Sequence, residues 1–418
     1  MKYIRNKFYY YFNKSKRNYN ILGRGYFGNP IQESFYYDAI PQYQIPKDKY
    51  SLMFCINHKK INEWIDNKFK KISLSNNIID DVNNDKCNIL LNHSHEPFNN
   101  LPFDQIKNQF INVKQDNLIW ITGDSNLNMS NEISSTWTNI FERLTYMLLQ
   151  GSNIAREDWI ELLVQQHNRI TNRTNRKHKL LLYMRRPKPW RIALMSKMFE
   201  NSLVESQETI ISWGGSSGSG YKETTKSSWD TSLDNIRNIN TTCSQQVLDK
   251  ILDIQHPIKL IGKEKVFPDF TIGKNHNYLV SSIATPSPTL DINDVVNTYF
   301  QIVSEARIDN NIGFITEKIY KTIASMQPFV IFGPPNTVTF LENQGYKIKN
   351  NFIDHSYDKI ETTEKRFNAL WAEIERLMKL SHKEWVDILY NLLPDLLYNI
   401  NNFQKCFHRL YNEKYIAK

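Results

Sequence analysis

Short apolar runs alternate with helix-periodic segments along most of the 418-residue chain, and this alternation restricts the fold more than any other feature. In the first half YSLMFCI, CNILLNH and NLIWITGD read as strands, while NEWIDNKFKKI, FDQIKNQFINV and the long WTNIFERLTYMLLQ read as helices. Strands separated by helices pair in parallel, so an α/β sheet is expected. The second half repeats the grammar. KLLLYM is a buried strand, PWRIALMSKMFENSL a helix, and the Gly/Ser-rich stretch from Ser212 to Thr231 a loop. IKLIG, a loop around VFPDF, YLVSSIA, a helix near VVNTYFQIVSEA, a helix that begins at Thr316 and the strand FVIFG come next. From about Glu361 onward the pattern is helical.

A chain of this length exceeds what one hydrophobic core organises, which predicts two domains and an appendage. The polar bridge QQHNRITNRTNRKHK marks the boundary. The expected organisation is an irregular basic and aromatic segment at 1–45, a first α/β domain at 46–164, a linker at 165–179, a second α/β domain at 180–360 and a helical tail at 361–418. Two such halves resemble facing Rossmann-like domains with a cleft at the carboxyl ends of their strands.

With 52 Lys+Arg against 43 Asp+Glu the formal charge is +9, which favours acidic partners, although the basic residues are dispersed and often sit beside acids. Cys55, Cys87, Cys243 and Cys406 form no CxxC pair, which speaks against a zinc knuckle or a disulfide framework and suits a reducing compartment. The start, MKYIRNKFYYYFNKSKRN, lacks the apolar core of a signal peptide. No stretch approaches the roughly 20 apolar residues of a membrane span. The expectation is a cytoplasmic protein that touches membranes at most peripherally, through its basic, aromatic start.

Two places put cations where a helix disfavours them. In GFITEKIYK, Gly313 to Lys321, Thr316 is a suitable N-cap, so Lys318 falls in the first helical turn, against the positive end of the helix dipole. In YMRRPKPWRIAL, Tyr183 to Leu194, a buried strand meets a helix through Arg185, Arg186, Lys188 and Arg191. Helix N-termini reinforced by Arg or Lys form phosphate sites, and two of them could grip one diphosphate. Pairing of each cation with neighbouring carboxylates is the ordinary alternative. Glu317 could accept hydrogen bonds from a ribose diol, or simply complement the dipole. The Gly-rich GGSSGSGYK at Gly214 to Lys222 lacks both the P-loop ending and the GxGxxG order and reads as a surface loop. No Asp-x-Asp pair is present to hold a metal on a diphosphate, and His93 to His95 lack an evident third ligand, so no metal site is assigned.

These residues carry a resemblance. VSEARIDNNIGFITEKIYKTIASMQPFVIFGPPN resembles the donor-binding signature of the α1,3-fucosyltransferase family, with Glu305, Gly313, Phe314, Thr316, Glu317, Lys318, Pro328 and Gly333 at matching positions. RRPKPWRIAL is similar to the turn that carries that family's diphosphate-binding arginine, which falls on Arg191, and HEPF at His95 to Phe98 is similar to the turn of its proposed catalytic base, which falls on Glu96. Ala306 and Arg307 depart from the pattern, and the spacing to Thr-Glu-Lys is longer by two residues.

The resemblance implies an inverting GT-B type glycosyltransferase that needs no cofactor or metal. The first domain would take the acceptor, a glycan or alternatively a protein or modified DNA, and the second a nucleotide-sugar donor of GDP-fucose type. Glu96 would be the general base, Arg191 and Lys318 would hold the diphosphate with help from Arg185 and Arg186, and Glu317 would hold the ribose. Glu305, Phe314 and Thr316 would complete the donor site. The rival from another class is a non-catalytic basic protein that binds nucleic acid or polysaccharide.

Overall fold

The computed structural model describes residues 7–10, 40–41, 50–55, 74, 76–93, 108, 110–122, 134–137, 142, 145–146, 149, 153–184, 187–214, 236–254, 258–266, 292–308 and 314–406. Its architecture is α/β, with two six-stranded sheets. The main division of the chain falls between Met147 and Leu148, and residues 311–314 group with the first unit. NEWIDNKFKKI, YLVSSIA and most of FDQIKNQFINV and WTNIFERLTYMLLQ lie outside the described residues, as do 215–235.

The first unit holds β1 (Lys7–Tyr10), β2 (Ile40–Pro41), β3 (Tyr50–Cys55), β4 (Cys87–His93), β5 (Leu118–Thr122) and β6 (Ser134–Trp137). They pair in parallel in the order β2-β1-β3-β4-β5-β6. Alternate residues Cys87, Ile89 and Leu91 of β4 are fully buried, and helix α1 (Asn76–Asn83) buries Ile78 and Val82 beside that strand. Neither α1 nor β6 has a counterpart in the sequence expectation.

The second unit holds β7 (His178–Met184), β8 (Thr209–Trp213), β9 (Ile258–Ile261), β10 (Glu264–Val266), β11 (Thr298–Ser304) and β12 (Phe329–Phe332), in the order β10-β9-β8-β7-β11-β12. Strands β8, β7, β11 and β12 are parallel, and the β9–β10 hairpin closes one edge in the antiparallel sense. Gly262 turns this hairpin with φ of +60°, and a Cβ there would lie 2.4 Å from the Gln207 side chain, so both conformation and space call for glycine.

Three segments correct the expectations. Thr298–Ser304 is a strand, not part of a helix; lying between β7 and β12, it buries six of its seven residues, which suits its β-branched and aromatic side chains. Ser212 and Trp213 belong to β8, so the loop expected from Ser212 onward can begin no earlier than Gly214. The polar stretch at 165–179 is no linker. Its first part ends helix α2 (Asn153–Thr171), which buries Gln166 and Ile170, and its last two residues begin β7. Buried Arg176 between them donates to the carbonyl of Thr298 (2.6 Å) and to Gln166 (2.7 Å).

The sheet of this unit is covered on both faces. Leu180, Leu182 and Met184 of β7 share a core with Ile192 and Met195 of helix α3 (Pro189–Glu200), whereas the alternate residue Leu181 packs with Leu162 of α2 and with Val295 and Val296 of α5 (Ile292–Val296). Helix α4 (Gln245–Leu252) lies on the α3 side, through Leu248 and Ile251. Helix α6 (Glu317–Ala324) lies on the α2 side. Its Thr322 hydroxyl donates to Gln301, which pairs with Leu181 across the sheet, and Trp159 of α2 donates to the Ala324 carbonyl (2.8 Å). Hence β7-α3-β8 and β11-α6-β12 wind away from neighbouring strands on opposite faces.

Helix α7 (Thr337–Asn343) comes after β12, and α8 (Thr363–Lys379) and α9 (His382–Gln404) are the last helices among the described residues. The last two are not an appendage. Phe367, Leu370 and Ile374 share the core of Leu180, and Trp385 stacks on Phe300 and Tyr299 with ring centroids 5.1 and 5.7 Å apart. A Ser381–Glu384 capping box starts α9.

Beneath β12 the Ile331 N–H donates to the Tyr357 hydroxyl (2.9 Å), which in turn pairs with Nδ1 of buried His355 at 3.1 Å. Burial, with Lys349 adding and Asp354 opposing, lowers the His355 pKa from 6.5 to about 4. An unfolded chain binds this proton first, so the stability His355 contributes is complete above pH 6.5 and is lost as pH falls through about 4. Relative to His355→Gln, the wild type is expected to lose up to about 3 kcal/mol across this window, measured by urea unfolding at a series of pH values. Parallel pH profiles of the two proteins would contradict the assignment.

Candidate functional site

Strands β7 and β11 are neighbours, yet their following helices leave on opposite faces. In open α/β sheets such a switch point, at the carboxyl ends of the strands, leaves a crevice suited to ligands. Both cationic turns singled out in the sequence begin there.

Arg191 lies in the first turn of α3, and Pro189 opens that helix with its fixed φ. The Arg191 guanidinium is buried and donates through Nη2 to the carbonyls of Ser304 (3.2 Å) and Glu305 (3.3 Å). Trp190 Nε1 donates to the same Glu305 carbonyl at 3.0 Å, and Lys188, whose ammonium lies 5.0 Å from the Trp190 ring centre, donates to the Ala306 carbonyl at 2.8 Å. The start of α3 thus grips the end of β11. The sequence marks Lys188 only as one cation of this turn and does not mark Trp190, whose one signal is its place beside Arg191.

The Glu305 side chain meets the second turn. Fully buried, its carboxylate accepts from the Ala306 N–H (3.2 Å), the Thr316 N–H (3.3 Å) and the Thr316 hydroxyl. Burial raises its pKa, with the Lys318 charge and the Thr316 hydrogen bonds opposing. Its backbone N–H donates to the Phe332 carbonyl at 3.0 Å, extending the pairing with β12. Gly333 is next, and a Cβ there would lie 3.1 Å from the Thr337 hydroxyl, a tight contact, and touch Glu305 Cγ at an ordinary 3.4 Å. Glu305 therefore acts on the protein's own loops.

Thr316 occupies the N-cap position of α6 but does not cap it; its hydroxyl is turned to Glu305. Lys318 does stand in the first turn. Its ammonium donates to the Thr316 hydroxyl and to Glu317 Oε1, each at 2.9 Å. Glu317 is buried, which by itself raises its pKa, but the charges of Lys318 and Lys321 outweigh burial and leave it lowered. Lys321, half-buried one turn on, is brought down to about 8 by burial and by Lys318 against the pull of Glu317. It went unassigned in the sequence, although its i,i+4 spacing from Glu317 is a visible signal.

Arg191, Glu305, Thr316, Glu317 and Lys318 are therefore brought together around the end of β11. Phe314 is buried and groups with the first unit. Glu96, Arg185, Arg186 and Gly313 lie outside the described residues. Among the described residues no three His, Cys, Asp or Glu side chains gather as a metal site, and no helix is long and apolar enough to cross a membrane.

A comparison with protein-family models gives no match, and a search of curated proteins likewise finds none.

Because three donors at the loop ends share the Glu305 carboxylate, Glu305→Ala is expected to lower unfolding free energy by about 3 kcal/mol, each stranded buried donor costing roughly 1 kcal/mol or more. Glu305→Gln, which keeps one carbonyl acceptor, should lose about half as much. Urea denaturation at neutral pH measures both, and an unchanged midpoint in the alanine variant would exclude the hub.

Proposed function

We propose that the second unit binds the diphosphate of a nucleotide sugar and that the protein is an inverting glycosyltransferase of the α1,3-fucosyltransferase-like, GT-B type, with a GDP-fucose-like donor. The observation that carries the reading is the convergence of two cationic helix starts, those of Arg191 and Lys318, on Glu305 at the switch point of one sheet. Neither N-cap residue caps its helix with a side chain; in this reading Arg191 contributes its charge from the α3 start, and the Lys318 ammonium, with two partners within the protein, offers its third N–H to the anion. The Asp-x-Asp pair that commonly holds a metal on such a diphosphate is missing from the sequence, and the cationic turns take its place in this reading.

In the proposed reaction the first unit brings an acceptor hydroxyl, most simply of a glycan, and Glu96 takes its proton as the oxygen attacks the anomeric carbon. The bond from that carbon to the diphosphate breaks with inversion. Lys318, Arg191 and the two helix starts stabilise the negative charge that collects on the leaving diphosphate. Glu317 accepts from the ribose. The net charge of +9 is the support for the competing reading, a basic binding protein for nucleic acid or polysaccharide, whose affinity would fall steeply with salt.

Lys318→Ala should still melt cooperatively, at a lower temperature because Glu317 loses its partner, and lose about tenfold or more in nucleoside diphosphate affinity by calorimetry. Glu96→Gln should keep that affinity and lose transfer by about 100-fold or more. Full affinity in a well-folded Lys318→Ala protein would remove the donor site, and full turnover in Glu96→Gln would move the base elsewhere.

A further inference from the structure

A cavity lies at the amino end of β12, at the edge of the sheet opposite the cationic turns, between the end of α6, residues 347–355 and α9. Ile323, Phe329, Ile348, Leu392 and Leu396 give it apolar walls, and the one ion pair on its lining, Lys347 with Asp395 at 3.1 Å, is partly exposed and matched in charge. Two neutral polar groups of the lining are unmatched. Gln327, only 1% exposed, donates through Nε2 to the Thr298 hydroxyl at 2.7 Å. That hydroxyl gives its own proton to the Asp294 carbonyl (2.8 Å), so it accepts from Gln327 and fixes which end of the Gln327 amide is oxygen. Gln327 Oε1 is left buried without a partner. His355, whose pKa burial lowers to about 4, is neutral at physiological pH. The Tyr357 hydroxyl accepts from the Ile331 N–H and gives its proton to His355 Nδ1, which leaves the histidine's own proton on Nε2. This Nε2–H has no partner among the described residues.

The cavity thus offers one acceptor and one donor, both neutral, among apolar carbon. The centre of a water-sized sphere ranges over about 30 Å³ of it, where a single water needs about 10–15 Å³, so a group of about three non-hydrogen atoms has room. Water suits it poorly. An ordered water makes about three hydrogen bonds, and the other polar side chains of the lining are engaged: the Asn399 amide bonds both backbone groups of Lys347 at 2.8 Å, and Asn350 Oδ1 accepts from the N–H groups of Phe352 and Ile353. We propose that this cavity is a second ligand site, for a small neutral molecule that carries a primary amide on an apolar body. The amide nitrogen donates to Gln327 Oε1, its carbonyl accepts from His355 Nε2–H, and the body lies against the apolar walls. A carboxylate in the same place brings no donor to Gln327 and has to shed its hydration beside apolar carbon. An amide replaces under-bonded water by a group that meets both protein partners, which favours binding. The site lies apart from the donor-site reading and does not depend on it.

The test titrates benzamide, acetophenone and benzoate into the full chain with isotope-labelled isoleucine methyl groups, read by NMR at Ile323, Ile348 and Ile353, which line the cavity. Acetophenone keeps the ring and the carbonyl but has no donor, and benzoate replaces the neutral amide by a charge. Benzamide is expected to shift these signals saturably with a Kd of about 1 mM, a strength within reach of so small a ligand. Acetophenone and benzoate should bind at least about tenfold more weakly, the worth of one hydrogen bond. Gln327→Met keeps the length of the side chain and removes the acceptor, so benzamide should lose its advantage over acetophenone. Leu396→Trp, at a partly exposed position of α9, fills the cavity and should abolish binding of all three. Cooperative melting is the folding control, and if Gln327→Met does not pass it, the ranking of the three ligands in wild type, with Leu396→Trp as the blocked form, decides. Isoleucine signals unmoved by benzamide up to its solubility limit would overturn the proposal and leave the cavity to water. Equal affinity of wild type for benzamide and acetophenone overturns it as well, because the cleft then selects apolar bulk alone.

Discussion

The second unit depends on how Glu305 ends its strand. The residue's carbonyl is held by Trp190 and Arg191 from the start of α3, its N–H by β12, and its carboxylate by Ala306 and by both donors of Thr316 at the start of α6. Two helices on opposite faces of a sheet are thereby fixed to one residue between them. A fully buried carboxyl is costly unless it is hydrogen-bonded, and three donors from the loops that flank it offset that cost. The same bonds place Lys318 and the α3 turn at the carboxyl edge of the sheet, so the interaction that closes the fold also shapes the site.

That arrangement joins both answers to the puzzle of Lys318. Within the protein the cation is matched by Glu317 and, through Thr316, by Glu305, which is the ordinary pairing that a cation in a first helical turn needs. Its third N–H, its partial exposure and the uncapped helix starts leave room for one more anion in the proposed reading. Arg191 differs, since it is buried and its Nη2 is shared between two carbonyls, so its part in holding a diphosphate would be exerted as charge and through the position of the α3 turn.

Much of this was legible from residue order. KLLLYM, PWRIALMSKMFE and FVIFG are apolar runs bounded by Pro, Gly or charge, and they became β7, α3 and β12. Lys318 in a first turn followed from Thr316 and the spacing of Ile319 and Ile323. Thr298–Ser304 was not legible, because its apolar residues satisfy helical and strand spacing alike and only its place between two parallel strands decides. β8 was hidden because TIISW runs straight into the Gly/Ser-rich stretch. The α2 helix extends through a polar sequence because Gln166 and Arg176 find partners within the fold, including the Ser325 carbonyl 159 residues away for Gln166. The partners of Glu305 are hidden for the same reason, since Thr316 and Arg191 reach it through the fold and no periodicity signals that contact.

The most direct measurement of the central claim is thermal stabilisation of the purified protein by GDP, UDP, GDP-fucose, GDP-mannose and UDP-glucose, with and without EDTA. A ligand that binds only the folded state raises the melting temperature. The account predicts a selective rise with one nucleoside diphosphate and its sugar, unchanged by EDTA. Cooperative melting with no shift from any of them would contradict it and leave the two cationic turns as structural pairings alone.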